Sequence, residues 1–385
     1  MKERIYFDNA STSFPKAPGV GEAMCGFIRE IGCNVNRGSY EDAYAAAGIV
    51  IDTRERLARL LGCAKSRNVV FTSNVTMSLN MLIKGLLKPG GHVLVSSLEH
   101  NAMMRPLVQM EKLGVSFSRI PCNGQGLLRT ESAEEMIRPE TKAIFCLHAS
   151  NVCGTVLPVA ELGRIAHAHG LICIVDAAQT AGLFPLDMRK MELDAIAFTG
   201  HKSLLGPQGI GGFAITDALA ALVEPQISGG TGSISDSEEV PQFLPDRFEP
   251  GTMNLPGIFG LNAALQYLEE TGITSIREKE QALAQRLWDG LQELQGVKMI
   301  GTGDYSECAP IVSVDFPAHD NADISYQLAD RYNILTRCGL HCAPNAHKTL
   351  GTFPQGTVRF SMSHFNTETE VDCCIDAVNT ILPTI

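Results

Sequence analysis

The sequence predicts an α/β protein, with a mainly parallel seven-stranded sheet domain and a smaller C-terminal α+β domain. Three observations carry this expectation. Seven short apolar, β-branched runs fall between about residues 65 and 215, in a repeating pattern of run, polar or glycine-containing turn, and helix-like stretch. The runs are nearly continuously apolar, as parallel strands covered by helices on both faces are. Beyond Pro256 the order changes to helix-like stretches followed by strand-like ones.

In chain order the runs are Val69 to Thr72, His92 to Ser96, Val115 to Ile120, Ala143 to Leu147, Leu171 to Val175, Ala195 to Phe198 and Ile210 to Ile215. Ser228 to Asn254 then lapses into Gly, Ser, Asp and Pro. This segment reads as irregular structure and not as a flexible linker, because it carries Phe243, Phe248 and Met253. Strand-like Ile311 to Phe316 and Thr357 to Ser361 follow in the second region. At 385 residues the chain exceeds the ~250–300 at which single cores stop growing. Two domains are expected: 15–255, and 256–385 together with the N-terminal segment 1–14.

Composition narrows the function. Hydrophobic residues at 45% and charged residues at 19% are ordinary for a globular protein. A net charge of -11 with dispersed Lys and Arg argues against nucleic-acid binding. No apolar run approaches the ~20 residues that cross a bilayer, and Met1 to Phe7 does not resemble a secretory signal. Twelve scattered cysteines read as reduced thiols. A cytoplasmic protein acting on a small molecule is expected, with neither nucleic acid nor membrane as a partner.

Ligands of open α/β sheets bind beyond the carboxyl ends of the strands, and the residues there are strongly polar. Lys202 follows the run Ala195 to Phe198, where partial desolvation makes an amine a better nucleophile. Taken alone, it also reads as a surface lysine. Asp176 ends the apolar run LICIV, a costly place for a carboxylate without a cationic partner. Taken alone, it reads equally well as a helix N-cap. A lysine for an aldehyde and an acid for a pyridine nitrogen are what pyridoxal phosphate requires of a protein. Ser73, Asn74 and Thr76 precede a helix-like stretch whose free N–H groups suit a phosphate. In the second domain, Arg337-Cys338-Gly339-Leu340-His341-Cys342-Ala343-Pro344 places a cysteine beside His and near Arg, a setting that favours a nucleophilic thiolate. Cys338, Cys342, His341 and His347 also suggest zinc, but the spacing lacks a second matching pair, and no metal is expected.

Together these motifs resemble the class V aminotransferase family of fold type I, and within it the cysteine desulfurase and selenocysteine lyase group. The resemblance rests on FDNASTSFPK (7–16), NRGSY (36–40), FTSNVT (71–76), EHNAMMRP (99–106), HASNVCGT (148–155), VDAAQTAG (175–182), FTGHKSLLGPQGIGG (198–212), FEPGTMN (248–254), RCGLHCAP (337–344) and VRFSMSHFNT (358–367), which run in family order. It implies pyridoxal phosphate bound through Lys202, with Asp176 at the pyridine nitrogen, Gln179 at the ring hydroxyl and His100 stacked on the ring and moving protons. It places Thr76, Thr199 and His201 at the phosphate, with Asn74 and Val75 in the same cradle and Thr252 reaching in from the partner subunit of a homodimer. Arg359 is expected to clamp the substrate carboxylate, with Arg337 and Asn36 also near the substrate and Asn151 in contact with the cofactor or the substrate.

By the same resemblance, Cys342 takes the sulfur of L-cysteine as a persulfide, leaves L-alanine, and passes the sulfur to an acceptor protein or small thiol. A selenocysteine lyase and another class V aminotransferase or lyase are the alternatives. Three departures from the family pattern stand out. Asn74-Val75 replaces a Gly and a Thr, so the cradle leans on backbone N–H groups. Thr199 replaces a Ser, and Cys338 is less typical of the housekeeping iron–sulfur enzymes.

Overall fold

The computed structural model describes residues 4–35, 38, 40–234 and 236–384. A two-residue strand, β1 (Ile5–Tyr6), precedes the large sheet. That sheet holds β2 (Val69–Thr72), β3 (His92–Ser96), β4 (Ser116–Ile120), β5 (Thr141–Leu147), β6 (Ile172–Asp176), β7 (Ala195–Thr199) and β8 (Gly211–Ile215), in the order β2-β8-β7-β6-β5-β3-β4. β8 is antiparallel to both β7 and β2, so β2 runs with β7, and the remaining pairs are parallel. Six strands therefore present their carboxyl ends on one edge.

The continuous apolarity of the inner runs follows from helices on both faces, whereas β4, at the sheet edge, is Ser-Phe-Ser-Arg-Ile and largely accessible. In β7, Ile196 and Phe198 pack with Leu57, Leu61 and Leu162 on one side, while Ala195 and Ala197 pack with Leu79, Leu82 and Met103 on the other. β5 divides in the same way, Ile144 and Cys146 against Ala143 and Phe145. A glycine at the head of β8 is sterically required. A Cβ on Gly211 would lie 2.8 Å from both Asn74 Cα and Phe198 O, so glycine lets the turn after β2 pack against this strand. In the irregular stretch after β8, Phe248 is buried with its ring 5.7 Å from Phe213, Met253 is half-buried and Phe243 is exposed.

The second sheet contains β9 (Lys298–Ile300), β10 (Ile311–Asp315), β12 (Arg337–Gly339) and β13 (Thr357–Ser361), antiparallel in the order β12-β13-β10-β9, while β11 (Ile334–Leu335) pairs in parallel with β1. Its core joins Phe7 to Leu283, Leu287, Val314, Val358, Phe360 and Val378. Thr367 closes a capping box with Glu370 at the start of the last helix, Glu368–Ile381. The core around the large sheet extends past residue 255. Leu255, Ile258, Leu261 and Leu265 of the helix Leu255–Thr271 pack with Val20, Phe27 and Leu57 of the large core, while the second core joins Phe7 to residues from Leu283 onward. Among the described residues, no helix is long and apolar enough to cross a membrane.

Candidate active site

Asp176 is the last residue of β6, and its register partner is Ala197 in β7, whose far end leads through Gly200 and His201 to Lys202. One Asp176 oxygen accepts from the Ala178 N–H at 2.9 Å, so the capping reading holds for a turn and not for a helix. Burial raises the Asp176 carboxyl above its ordinary value, and Lys202 pulls it back. The Lys202 side chain keeps partial solvent access, but desolvation of its amine brings the pKa down to about 8, against the opposing pull of Asp176.

His100 caps the helix Asn101–Glu111, its Nδ1 accepting from the Ala102 N–H at 3.0 Å. That bond leaves the ring proton on Nε2. Burial, reinforced by Lys202, Arg337 and Arg359, holds the ring near pKa 3, so the imidazole is neutral at ordinary pH. Gln179 is buried and donates through Nε2 to Ala10 O at 3.1 Å.

The helix Val75–Leu86 begins beside the same edge. Asn74 is its N-cap, with Oδ1 accepting from the Met77 N–H at 3.0 Å and the carbonyl accepting from the Ser78 N–H at 3.2 Å. The first N–H groups of a helix lack intrahelical acceptors, so those of Val75 and Thr76 remain for a ligand. The Val75 side chain is turned into the core with Leu79, which limits that residue to a main-chain contribution, while Thr76 is exposed. Among the described residues, Thr199 Oγ1, His201 Nδ1 and Asn151 Oδ1 are buried without a hydrogen-bond partner. Such atoms are rare in folded proteins, and these three lie beside the carboxyl edge of the sheet, where a ligand's polar atoms could pair with them.

The small sheet supplies the opposite wall. Arg337 of β12 and Arg359 of β13 are direct cross-strand partners, which aims two guanidiniums at the same space. Arg359 is buried, donating to Asn151 O at 2.9 Å, Asp8 Oδ1 at 3.0 Å and Ser11 Oγ at 2.8 Å. Burial lowers its pKa to about 10, opposed by Asp8. Arg337 donates to Ser11 Oγ at 3.0 Å and approaches Cys342 Sγ at 3.7 Å.

Cys342 is exposed on a turn of only four residues, Leu340 to Ala343, between β12 and the helix Pro344–Thr349. His341 and Cys342 both have left-handed backbone, φ 46° and 57°, which costs on the order of 1 kcal/mol each for non-glycine residues. The turn is held from several sides: Asn151 Nδ2 donates to His341 O at 2.8 Å, the Asn101 N–H donates to Cys342 O at 2.8 Å, and His341 Nε2 bonds Thr357 Oγ1 at 3.0 Å. The helix that follows docks on the large core through Ala346 and Leu350. Among the described residues, no cluster of three or more His, Cys, Asp or Glu is arranged for a metal ion.

Lys202, Asp176, His100, Gln179, Asn151, Arg337, Arg359 and Cys342 thus converge where the two sheets face each other. Thr252 lies apart from them, exposed and accepting from Asn34 Nδ2 at 3.3 Å. Asn36 falls outside the described residues. Sequence reasoning missed Asp8 and Ser11, which hold the arginines, although the 7–16 motif contains both. It also passed over the internal bonds of Glu99, whose Oε1 accepts from Ser96 Oγ at 2.5 Å and the Leu147 N–H at 3.0 Å. Its polar position after β3 was the available signal. Burial lifts this carboxyl to about 8, so it is largely protonated at neutral pH.

A sheet of this topology, with a desolvated lysine and a buried acid at its carboxyl edge, is the fold of the type I pyridoxal-phosphate-dependent transferases. The chain belongs to the class V aminotransferase family, which it matches over residues 5–373 and which uses pyridoxal phosphate. It is 32% identical to a probable cysteine desulfurase of Methanothermobacter thermautotrophicus, over 96% of this chain and 93% of that protein. It superposes on the apo cysteine desulfurase of Thermococcus onnurineus with a TM-score of 0.93 at 34% identity, covering 99% and 95% of the two chains. The corresponding values for the cysteine desulfurase CsdA of Escherichia coli are 0.89, 30%, 99% and 95%.

Proposed function

We propose that the protein is a pyridoxal-phosphate-dependent cysteine desulfurase that converts L-cysteine to L-alanine and keeps the sulfur as a persulfide on Cys342. The observation that carries this reading is the placement of Cys342: exposed, 3.7 Å from an Arg337 nitrogen, on a turn bonded to the helix that His100 caps. The relatives and solved structures named as cysteine desulfurases favour it over a selenocysteine lyase or another class V aminotransferase or lyase.

The residues present fit the cofactor. Lys202 would hold its aldehyde, Asp176 its pyridine nitrogen, Gln179 its ring hydroxyl and His100 the ring face. The unpartnered Thr199 Oγ1 and His201 Nδ1 suit phosphate oxygens, as do the Thr76 hydroxyl and the Val75 and Thr76 amides. Asn74 contributes by capping that helix. Thr252 is assigned to the partner subunit's phosphate site in a homodimer, for which exposed Tyr44 and Ile51 on one helix offer apolar contact surface. When bound, pyridoxal phosphate supplies the electron sink for negative charge at the substrate carbons.

The chain's own residues do the rest. Arg359, whose Nε has no hydrogen-bond partner among the described residues, would bind the substrate carboxylate, with Asn151 and Arg337 at the same site. His100, neutral and with its proton on Nε2, moves protons at the reacting carbons. Cys342 Sγ attacks the substrate sulfur: the S–S bond forms as the Cβ–S bond breaks, the electron pair stays with Cβ, and a proton delivered there completes alanine. The step is redox-neutral, with cysteine plus thiol giving alanine plus persulfide. Exposure of Cys342 leaves that persulfide within reach of an acceptor protein or small thiol. Twelve unpaired cysteines suit a reducing, cytoplasmic setting.

The test is product analysis. Purified holoenzyme with L-cysteine and a reductant should release alanine and sulfide in equal amounts, and Cys342→Ala should lower the rate by about 100-fold or more. Pyruvate in place of alanine, or undiminished turnover by the variant, contradicts the reading.

A further inference from the structure

Ser11 lies in the N-terminal segment just after β1, half-buried between the two arginines of the small sheet. A serine hydroxyl offers one proton and two lone pairs, and all three are engaged here. Ser11 Oγ donates to Asp8 Oδ1 at 2.7 Å, accepts from Arg337 Nη1 at 3.0 Å and accepts from Arg359 Nη2 at 2.8 Å. Among the described residues it is the side chain that bonds both guanidiniums.

The two arginines depend on it unequally. Arg359 has two other anchors, Asp8 Oδ1 at 3.0 Å and Asn151 O at 2.9 Å. Among the described residues, the other hydrogen-bond contact of Arg337 is Cys342 Sγ at 3.7 Å. As direct cross-strand partners the two cations also repel one another. Without the Ser11 hydroxyl, that repulsion and side-chain entropy both favour Arg337 swinging toward solvent, while Arg359 stays tethered.

We propose that Ser11 is a positioning residue whose hydroxyl holds the Arg337 guanidinium against Cys342, keeping positive charge beside the sulfur while it attacks and while it carries the transferred sulfur. This deepens the desulfurase reading and rests on it for the reaction. The Ser11–Arg337–Cys342 chain of contacts is independent of substrate.

The inference is tested on holoenzyme carrying Ser11→Ala or Ser11→Thr, by steady-state turnover of L-cysteine and by the rate at which iodoacetamide modifies the Cys342 peptide, followed by mass spectrometry. Ser11→Ala should lower kcat about tenfold, leave KM within about twofold, and slow Cys342 modification about threefold. Ser11→Thr, which keeps the hydroxyl, should restore both. A raised KM with kcat and modification unchanged would assign Ser11 to Arg359 alone and overturn the inference, as would failure of threonine to rescue. Because modification needs no substrate, a wild-type enzyme that releases no alanine counts against the proposed reaction, whereas a modification rate indifferent to Ser11 counts against the positioning role.

Discussion

The backbone amide of Asn101 donates to the carbonyl of Cys342 at 2.8 Å, joining the helix that His100 caps to the turn that carries the thiol. Asn101 is the first residue of that helix, where an N–H has no intrahelical acceptor. The bond therefore satisfies an orphan donor and at the same time helps hold Cys342 in left-handed backbone. This main-chain contact joins the two residues to which proton transfer and sulfur attack are assigned in the proposed reaction.

That contact can be removed cleanly. Proline is tolerated at the first helical position, and His100, with φ -73° and ψ 155°, already has the extended backbone that a following proline demands. Asn101→Pro should fold with a near-unchanged melting temperature and lose roughly fivefold in kcat/KM, the equivalent of about 1 kcal/mol for one hydrogen bond. Unchanged kinetics in a folded variant would show that the contact does not position the thiol.

In the proposed site, the Lys202 amine would set the pH at which the cofactor is taken up. A neutral amine is the nucleophile, and desolvation brings this one from 10.5 to about 8. Uptake of pyridoxal phosphate by the apoprotein, followed by visible absorbance, should therefore accelerate with a midpoint near pH 8. Lys202→Ala should stay colourless and inactive. A midpoint near 10 would mean that the amine is solvated.

His100→Asn separates capping from chemistry. Asparagine is itself a good N-cap, so the helix should be retained, with a melting temperature within a few degrees of wild type. Loss of the imidazole should lower kcat by about 100-fold or more. Because the ring stays near pKa 3, the acid limb of the wild-type pH profile should not be set by His100. If kcat survives this substitution, proton transfer belongs to another group.

Two buried acids give stability a distinctive pH dependence. Burial lifts Glu99 and Glu280 from 4.5 to about 8. Between those values the folded chain holds protons that the unfolded chain has lost, so the contribution of both groups falls as pH rises through that window. Glu99→Gln keeps an oxygen for the Ser96 hydroxyl and the Leu147 N–H and should flatten the dependence. Denaturant unfolding at pH 5 and pH 8 measures it; an equal slope in the variant would mean that Glu99 is already ionised in the folded state.

The large sheet is legible because burial on both faces makes residues 143–147, 172–175 and 195–198 wholly apolar. The expected ends were short by one residue at Asp176 and Thr199, polar residues that finish their strands because the site begins there. The second domain was harder to read. Arg-Cys-Gly of β12 has no apolar signal and becomes a strand only by pairing with β13. Leu255 to Leu268 pack on the first helices, so the core of the large sheet draws on residues beyond 255. At the site, residue types pointed to Lys202, Asp176 and His100. The Asp8–Arg359 ion pair spans 351 positions, and nothing local to either residue announces it.

The most direct measurement is the mass of the Cys342 peptide after a single turnover with L-cysteine in the absence of reductant. The proposed reaction predicts one added sulfur on that peptide, in proportion to the alanine formed, and its release by a thiol. Alanine formed with Cys342 unmodified, or the added sulfur found on Cys338 or another cysteine, would contradict it.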